Sequence, residues 1–200
     1  MGSVPTGFIE ATLRNLVFVK KSKKILDIYY KSQIGKISKI LSFGLKDRTT
    51  NVVNMMRFMM KAKGPMDLLE ENAQTKQISK RYNEINPKYQ KLITKARECL
   101  GEKMIYFQYG GDLSLTSNLA GQLIHEFPNK IIIVVHTKGD SVNVSLRGRL
   151  VDIKKLTLKA IKDLKSARGG GHKHATGAIM SVDDLKIFKK RMEEMIDSIK

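Results

Sequence analysis

The stretch SARGGGHKHATGAIM, Ser166 to Met180, sets three consecutive glycines, Gly169, Gly170 and Gly171, directly against His172, with His174 two residues on. Glycine reaches positive φ and lets a ligand come close to the backbone, so successive N–H groups can converge on an anion. His172 would add a side-chain donor to such a nest. In SVNVSLRG, Ser141 to Gly148, Arg147 offers a forked charge suited to phosphate, and Ser145 lies two residues before it. Two other chemistries compete for the same residues. A metal would use His172 and His174, whose i, i+2 spacing in a strand puts both on one face, but no cysteine or clustered carboxylate stands beside them. A slack surface loop after a helix C-terminus needs no ligand at all.

Other candidates for catalysis are thinner. Metal-assisted hydrolysis requires several Asp and His residues converging on one point, and the aspartates here are dispersed. The adjacent pair Asp183 and Asp184 is explained by a helix N-terminus, where carboxylates are favoured. His125 falls inside a predicted helix and His136 at the end of a predicted strand, both places for a satisfied structural histidine. No nucleophile elbow supports a Ser-His-Asp arrangement. The residues point to binding: no catalytic residue, no metal ligand and no cofactor is expected.

The charge balance names the class of partner. Among 200 residues, 37 Lys and Arg against 19 Asp and Glu leave a formal charge of +18, a field that favours polyanions: nucleic acid, an anionic membrane or an acidic protein. The single cysteine, Cys99, excludes an intramolecular disulfide framework and a cysteine zinc cage, and points to a cytosolic chain. The longest apolar run, IIIVV at Ile131 to Val135, is strand-sized and far short of the roughly 20 residues of a membrane span. The opening MGSVPTGF lacks the apolar core of a signal peptide. With 42% hydrophobic residues, the chain can bury a core.

Composition divides the chain near Gly101 into a basic helical region or connector over 1–100 and an alternating strand and helix region over 101–200. In the first, helical character begins at about Gly7. The NMMRFMM segment sets Val52, Met56, Met59 and Met60 near one helix face that stops at Gly64 and Pro65, and the stripe is expected in the core, since methionine fills irregular gaps. A polar helical stretch follows, interrupted at Asn86 and Pro87, where asparagine can cap and proline can open a new first turn. Leu92, Ile93 and Ala96 face inward in the second piece.

In the second region KMIYFQY (103–109), KIIIVVH (130–136) and SVNVSLRG (141–148) read as strands, the last two forming a hairpin across TKGD. SNLAGQLIHEF (117–127) reads as a helix. Strict alternation puts Val142, Val144 and Leu146 on one sheet face and a polar row, Asn143, Ser145 and Arg147, on the other, open for binding. DIKKLTLKAIKDL is a helix capped by Asp152 and stopped by the glycines. ATGAIM returns as a short strand, and SVDD opens a last helix as a capping box with Leu185, Phe188, Met192, Met195 and Ile199 buried.

VNVSLRG followed by GGGHKHATGAIM, with SNLAGQLI, KIIIVVH and the final helix in order, resembles the C-terminal, DHH-associated half of the DHH phosphoesterases, found in RecJ-type exonucleases and small-oligonucleotide phosphodiesterases. The resemblance covers about Lys103 to Lys200. It implies an α/β fold: an N-terminal helical region, then a mixed α/β DHH-associated domain with a central sheet flanked by helices. It implies that a GGGH loop (Gly169, Gly170, Gly171, His172) and a Ser-x-Arg strand (Ser145, Arg147) hold the end of a nucleic acid, with Arg149 and His174 alongside. Ala175 and Gly177 fit the small residues that follow the histidine. The family's catalytic half carries Asp-rich motifs and an Asp-His-His triplet for manganese, and this sequence contains none. A free-standing domain of this kind is similar to the archaeal RecJ-like subunit that joins GINS and the MCM ring in the replicative helicase. That likeness implies a non-catalytic scaffold that binds single-stranded DNA, RNA being open too, in the cytoplasm with the nucleoid and away from membranes. The alternative it implies is the substrate-binding part of a manganese-dependent DHH-family nuclease.

Overall fold

The computed structural model describes residues 32–199. The described residues divide into two compact units, 32–88 and 89–199. The helical reading of residues 7–31 lies outside the described residues.

In the first unit, α1 (Gln33–Gly44) starts at Ser32, whose hydroxyl accepts the Gly35 N–H at 3.3 Å. Helix α2 (Thr49–Lys61) and a 3-10 turn (Pro65–Leu69) close on it around Ile37, Ile40, Met55, Leu68 and Ile78. The methionine stripe is corrected here. The buried member of α2 is Met55, with Phe58 and Met59 packed at the edge, while Met56 and Met60 are exposed at 52% and 84%. The wheel is rotated because Met55 fits the gap above Gly44, where a Cβ would come within 2.6 Å of its sulfur.

Helix α3 runs unbroken from Ala73 to Glu98, through Pro87. Asn72 caps it reciprocally: its Oδ1 accepts the Thr75 N–H at 2.9 Å and its own N–H donates to Thr75 Oγ1 at 3.1 Å. The expected interruption at Asn86 and Pro87 does not occur. Apolar residues at helical spacing on both sides, Ile85, Tyr89, Ile93 and Ala96, are all buried, and that burial outweighs the backbone hydrogen bond lost at proline.

The second unit is a five-stranded sheet in the order β1-β2-β3-β5-β4: β1 (Met104–Gly110), β2 (Ile131–Lys138), β3 (Ser141–Arg147), β4 (Arg168–His172) and β5 (Ala175–Ser181). Strands β1 and β2 are parallel and the rest antiparallel. Helix α4 (Thr116–Glu126) packs on β2 and β3 on one face. Helices α5 (Ile153–Ile161) and α6 (Val182–Asp197) cover the other, over a core of Val135, Val144, Leu146, Ala160, Phe188 and Met192. This is the α/β arrangement expected from the sequence. Ser181 caps α6 by accepting the Asp184 N–H at 3.2 Å, but the Asp184 carboxylate takes the N–H and hydroxyl of Ser166 instead of closing the box.

Two further expectations are corrected. Helix α5 ends at Ile161, followed by Asp163 at φ 63°, so it stops before the glycines. Those glycines form an extended edge strand paired to β5 rather than a loop.

Pro87 occupies an interior helix position, where proline costs about 3 kcal/mol relative to alanine. Pro87→Ala is therefore expected to raise the thermal unfolding midpoint, measured by circular dichroism at 222 nm, without changing helix content.

Candidate nucleic-acid interface

Register places three strands side by side on the sheet face that carries α4. Going from β3 through β5 to β4, the rows are Asn143, Ile179 and Arg168; Ser145, Gly177 and Gly170; and Arg147, Ala175 and His172. Directly paired residues share a face, so the middle of this patch is floored by Gly177, Gly170 and Ala175. Ile179 is 55% exposed. Arg147 and His172 flank the last row two strands apart, about 10 Å by ordinary strand spacing.

The three glycines of β4 have different reasons to be glycine. A Cβ on Gly169 would meet the Gly177 carbonyl oxygen at 2.9 Å and Ile161 Cδ1 at 3.1 Å. On Gly171, at φ 142°, it would meet the Ala175 oxygen at 2.4 Å. On Gly170 it would meet nothing within 4 Å. Gly169 and Gly171 are thus demanded by packing and backbone, while Gly170 leaves open space above the sheet. Gly171 alone of the three has positive φ. An extended strand with a single turned residue is not a three-residue nest, so any ligand meets a flat backbone floor.

Arg147 is held from three sides. One Nη donates to the carbonyls of Leu146 at 2.8 Å and Thr176 at 3.4 Å, and the other donates to Ser117 Oγ at 3.0 Å. Its partial burial pulls its pKa below the ordinary arginine value, yet guanidinium stays charged throughout the working range. Ser145 is buried and donates to Thr116 Oγ1 at 2.9 Å. The polar row of β3 is therefore not open along its length, because α4 covers its middle. Ser145 acts on the site by seating α4, whose next residue, Ser117, holds Arg147.

The start of α4 is itself pinned. Tyr109 Oη accepts the Leu115 N–H at 2.5 Å, and burial pushes this phenol up to about 12, so it remains neutral. His136, buried against Tyr109, donates from Nε2 to the Gly111 carbonyl at 2.7 Å, and its Nδ1 has no partner among the described residues. His136 is thus buried and bonded through one ring nitrogen only, short of the fully satisfied histidine expected from sequence.

His174 does not share a strand face with His172, because β4 ends at His172 and Lys173 and His174 make the turn. Its Nδ1 donates to the Gly148 carbonyl at 3.0 Å, while Gly148 and Ile153 N–H groups donate to the carbonyls of His174 and Lys173 at 3.2 and 2.8 Å. The turn is thereby fastened beside Arg147. Arg149 donates to His125 Nδ1 at 2.7 Å. Burial, then the Arg149 charge, lowers the His125 pKa. The fold therefore unites Gly170, His172 and Arg147 in one patch, with His174 and Ser145 as supports, and directs Arg149 toward α4. Thr116, Ser117 and Thr176 hold Ser145 and Arg147 in place and were not singled out from sequence; the polar run at 116–118 that opens the apolar helix α4 was the available signal.

Residues 101–198 match the DHHA1 domain family. The C-terminal half of this chain is a DHHA1 domain, the accessory half of the DHH phosphoesterases. Among solved structures, the pGpG-specific phosphodiesterase PggH from Vibrio aligns with a TM-score of 0.63 at 13% identity, over 98% of this chain and 68% of that one. RecJ from Thermus thermophilus in complex with Mn2+ aligns with 0.58 at 17% identity, over 94% of this chain. Another exonuclease RecJ bound to manganese gives 0.55 at 15%, over 96% of this chain and 46% of that one. These are likenesses of fold, and this chain spans only 27% of the Thermus RecJ chain. No curated protein matches the sequence. No helix among the described residues is long and apolar enough to cross a membrane.

The glycine analysis predicts that Gly171→Ala destabilises the fold by about 1–3 kcal/mol. Gly170→Ala should stay within about 0.5 kcal/mol of the parent. Urea unfolding of the two variants checks the difference.

Proposed function

We propose that the open patch of β3, β5 and β4 holds the phosphate-bearing end of a single-stranded nucleic acid. The observation that carries this reading is Gly170: a side chain would fit there, nothing in the fold forbids it, and the gap adjoins the row that runs from a clamped arginine to an exposed histidine. In this reading Arg147 supplies a preoriented fork and His172 a second donor, while Gly170 and Gly177 let the chain lie on the backbone. Gly169 and Gly171 keep the strand straight and close, Ser145 and His174 stiffen the surround, and Arg149 extends the positive field. Residues 101–200 are the binding domain and residues 1–100 a basic connector. The excess of 18 positive charges supports a polyanion. A phosphate cradle does not read the 2′-OH, so matched DNA and RNA oligonucleotides in competition decide between them.

Two settings suit such a module. The fold likeness to PggH and RecJ over nearly the whole chain supports a substrate-holding part of a manganese-dependent DHH phosphodiesterase, completed by a catalytic lobe. The basic character of the chain, +18 over 200 residues, suits the other setting equally, a non-catalytic scaffold beside GINS and MCM that holds the strand. Recovery of GINS and MCM in a pull-down from native extract favours the scaffold. Cleavage of labelled single strands with Mn2+ by the purified chain would remove it, and cleavage only on adding a DHH lobe favours the phosphodiesterase.

Arg147→Ala and His172→Ala are each expected to weaken a short 5′-phosphorylated oligonucleotide about tenfold or more, measured by fluorescence anisotropy. Gly170→Val should block binding while leaving the unfolding midpoint unchanged. Parental affinity in all three variants overturns the reading. Binding by the parent should fall with salt at a log–log slope of about −0.7 per phosphate contacted.

A further inference from the structure

On the sheet face opposite the patch, α5 presents Lys154, Lys155 and Lys159, with Lys162 just past its last residue, and all four are exposed. At 100° per residue the three helical lysines span an arc of about 140°, with Leu158 inside it. Among the described residues none of the four makes an ion pair. The neighbouring α6 is built differently: Lys189 and Lys190 each pair with a glutamate one turn on, Glu193 and Glu194. Lys155 and Lys159 stand at i, i+4, where like charges repel and destabilise a helix. Asp152 is engaged as the N-cap, accepting the Lys155 N–H at 3.0 Å. The helix is nevertheless held firmly. Thr157 bonds to Thr176 of β5 at 2.7 Å, and Arg191 of α6 donates to the carbonyls of Ala160 and Lys162 at 3.0 and 2.6 Å, capping the last turn.

Position gives this comb of lysines its meaning. Helix α5 packs beneath β4, and a Cβ on Gly169 would touch Ile161 of α5. Strand β4 is the sheet edge, so the path from His172 and Arg168 round to the lysines is one strand thick.

We infer that the outer face of α5 is a second phosphate-contacting surface, which takes the stretch of single-stranded nucleic acid leading away from the end held on the opposite face. The inference rests on the end-holding reading for the route of the strand, and on α5 alone for the contact. From Lys154 to Lys159 the helix rises about 8 Å, and Lys162 extends the row past its end, so the face is long enough to meet successive internal phosphates.

The test uses the full chain with Lys154, Lys155, Lys159 and Lys162 all changed to Gln. Two probes are titrated, the dinucleotide pTpT and an oligothymidylate of about twenty nucleotides, longer than one small-domain site. The expected result is at least tenfold weaker binding of the long strand, a salt slope shallower by about 2 for three lost phosphates, and unchanged pTpT binding. Unchanged long-strand affinity and slope would overturn the inference and leave the end-holding patch standing. Failure of the parent to bind pTpT, with the long strand still weakened in the variant, supports the α5 surface and removes the end-holding reading. A parent that binds neither probe overturns both. Phosphatidylserine vesicles form a third arm: sedimentation lost in the variant with oligonucleotide binding unaltered assigns α5 to a membrane surface and overturns the inference.

Discussion

The close approach of β4 to β5 and α5 is the contact on which the rest of the second unit depends. It exists because Gly169 and Gly171 carry no Cβ: one faces the Gly177 carbonyl and Ile161, the other the backbone of Ala175 and Thr176. Any side chain at either position would lift the edge strand away. The ladder of β4 with β5 and its packing on α5 would then be lost, while α5 stays tied to β5 through Thr157 and Thr176. The same contact sets His172 opposite Ala175 and so fixes its place relative to Arg147.

The other side of the patch is positioned by relay. Tyr109 and His136 tie the 111–115 segment to the ends of β1 and β2, and that segment delivers Thr116 to Ser145 and Ser117 to Arg147. Each link exchanges a buried polar group for a specific partner, which is how a guanidinium can be partly desolvated without losing its orientation. Packing and electrostatics thus divide the work: glycines set the floor, hydroxyls and carbonyls hold the charge above it.

Much of the fold was legible as pattern. The alternation in β3, the apolar run of β2, the capping serine of α6 and its stripe of Leu185, Phe188 and Met192 all appear in the structure, because period 2 and period 3.6 are direct consequences of burial on one face. Failures occurred where tertiary contacts override local preference. Proline marked a helix break at 87, yet flanking residues buried at helical spacing carried the helix through. Three glycines marked a loop, yet pairing with β5 drew them straight. The methionine face of α2 was misjudged by one position because both choices are amphipathic and only the gap over Gly44 selects Met55.

By itself the sequence determined the residue types of the patch, the charge of the whole and the order of elements, since these depend on composition and periodicity alone. Only the tertiary structure decided which glycine is free and which are obligatory, that Ser145 is buried under α4, that Arg149 turns to His125, and that the lysines of α5 stand unpaired beneath the edge strand. Those distinctions depend on what lies within a few ångströms across the fold, and neighbours in space are brought there by strand order and register, which no single stretch of chain encodes.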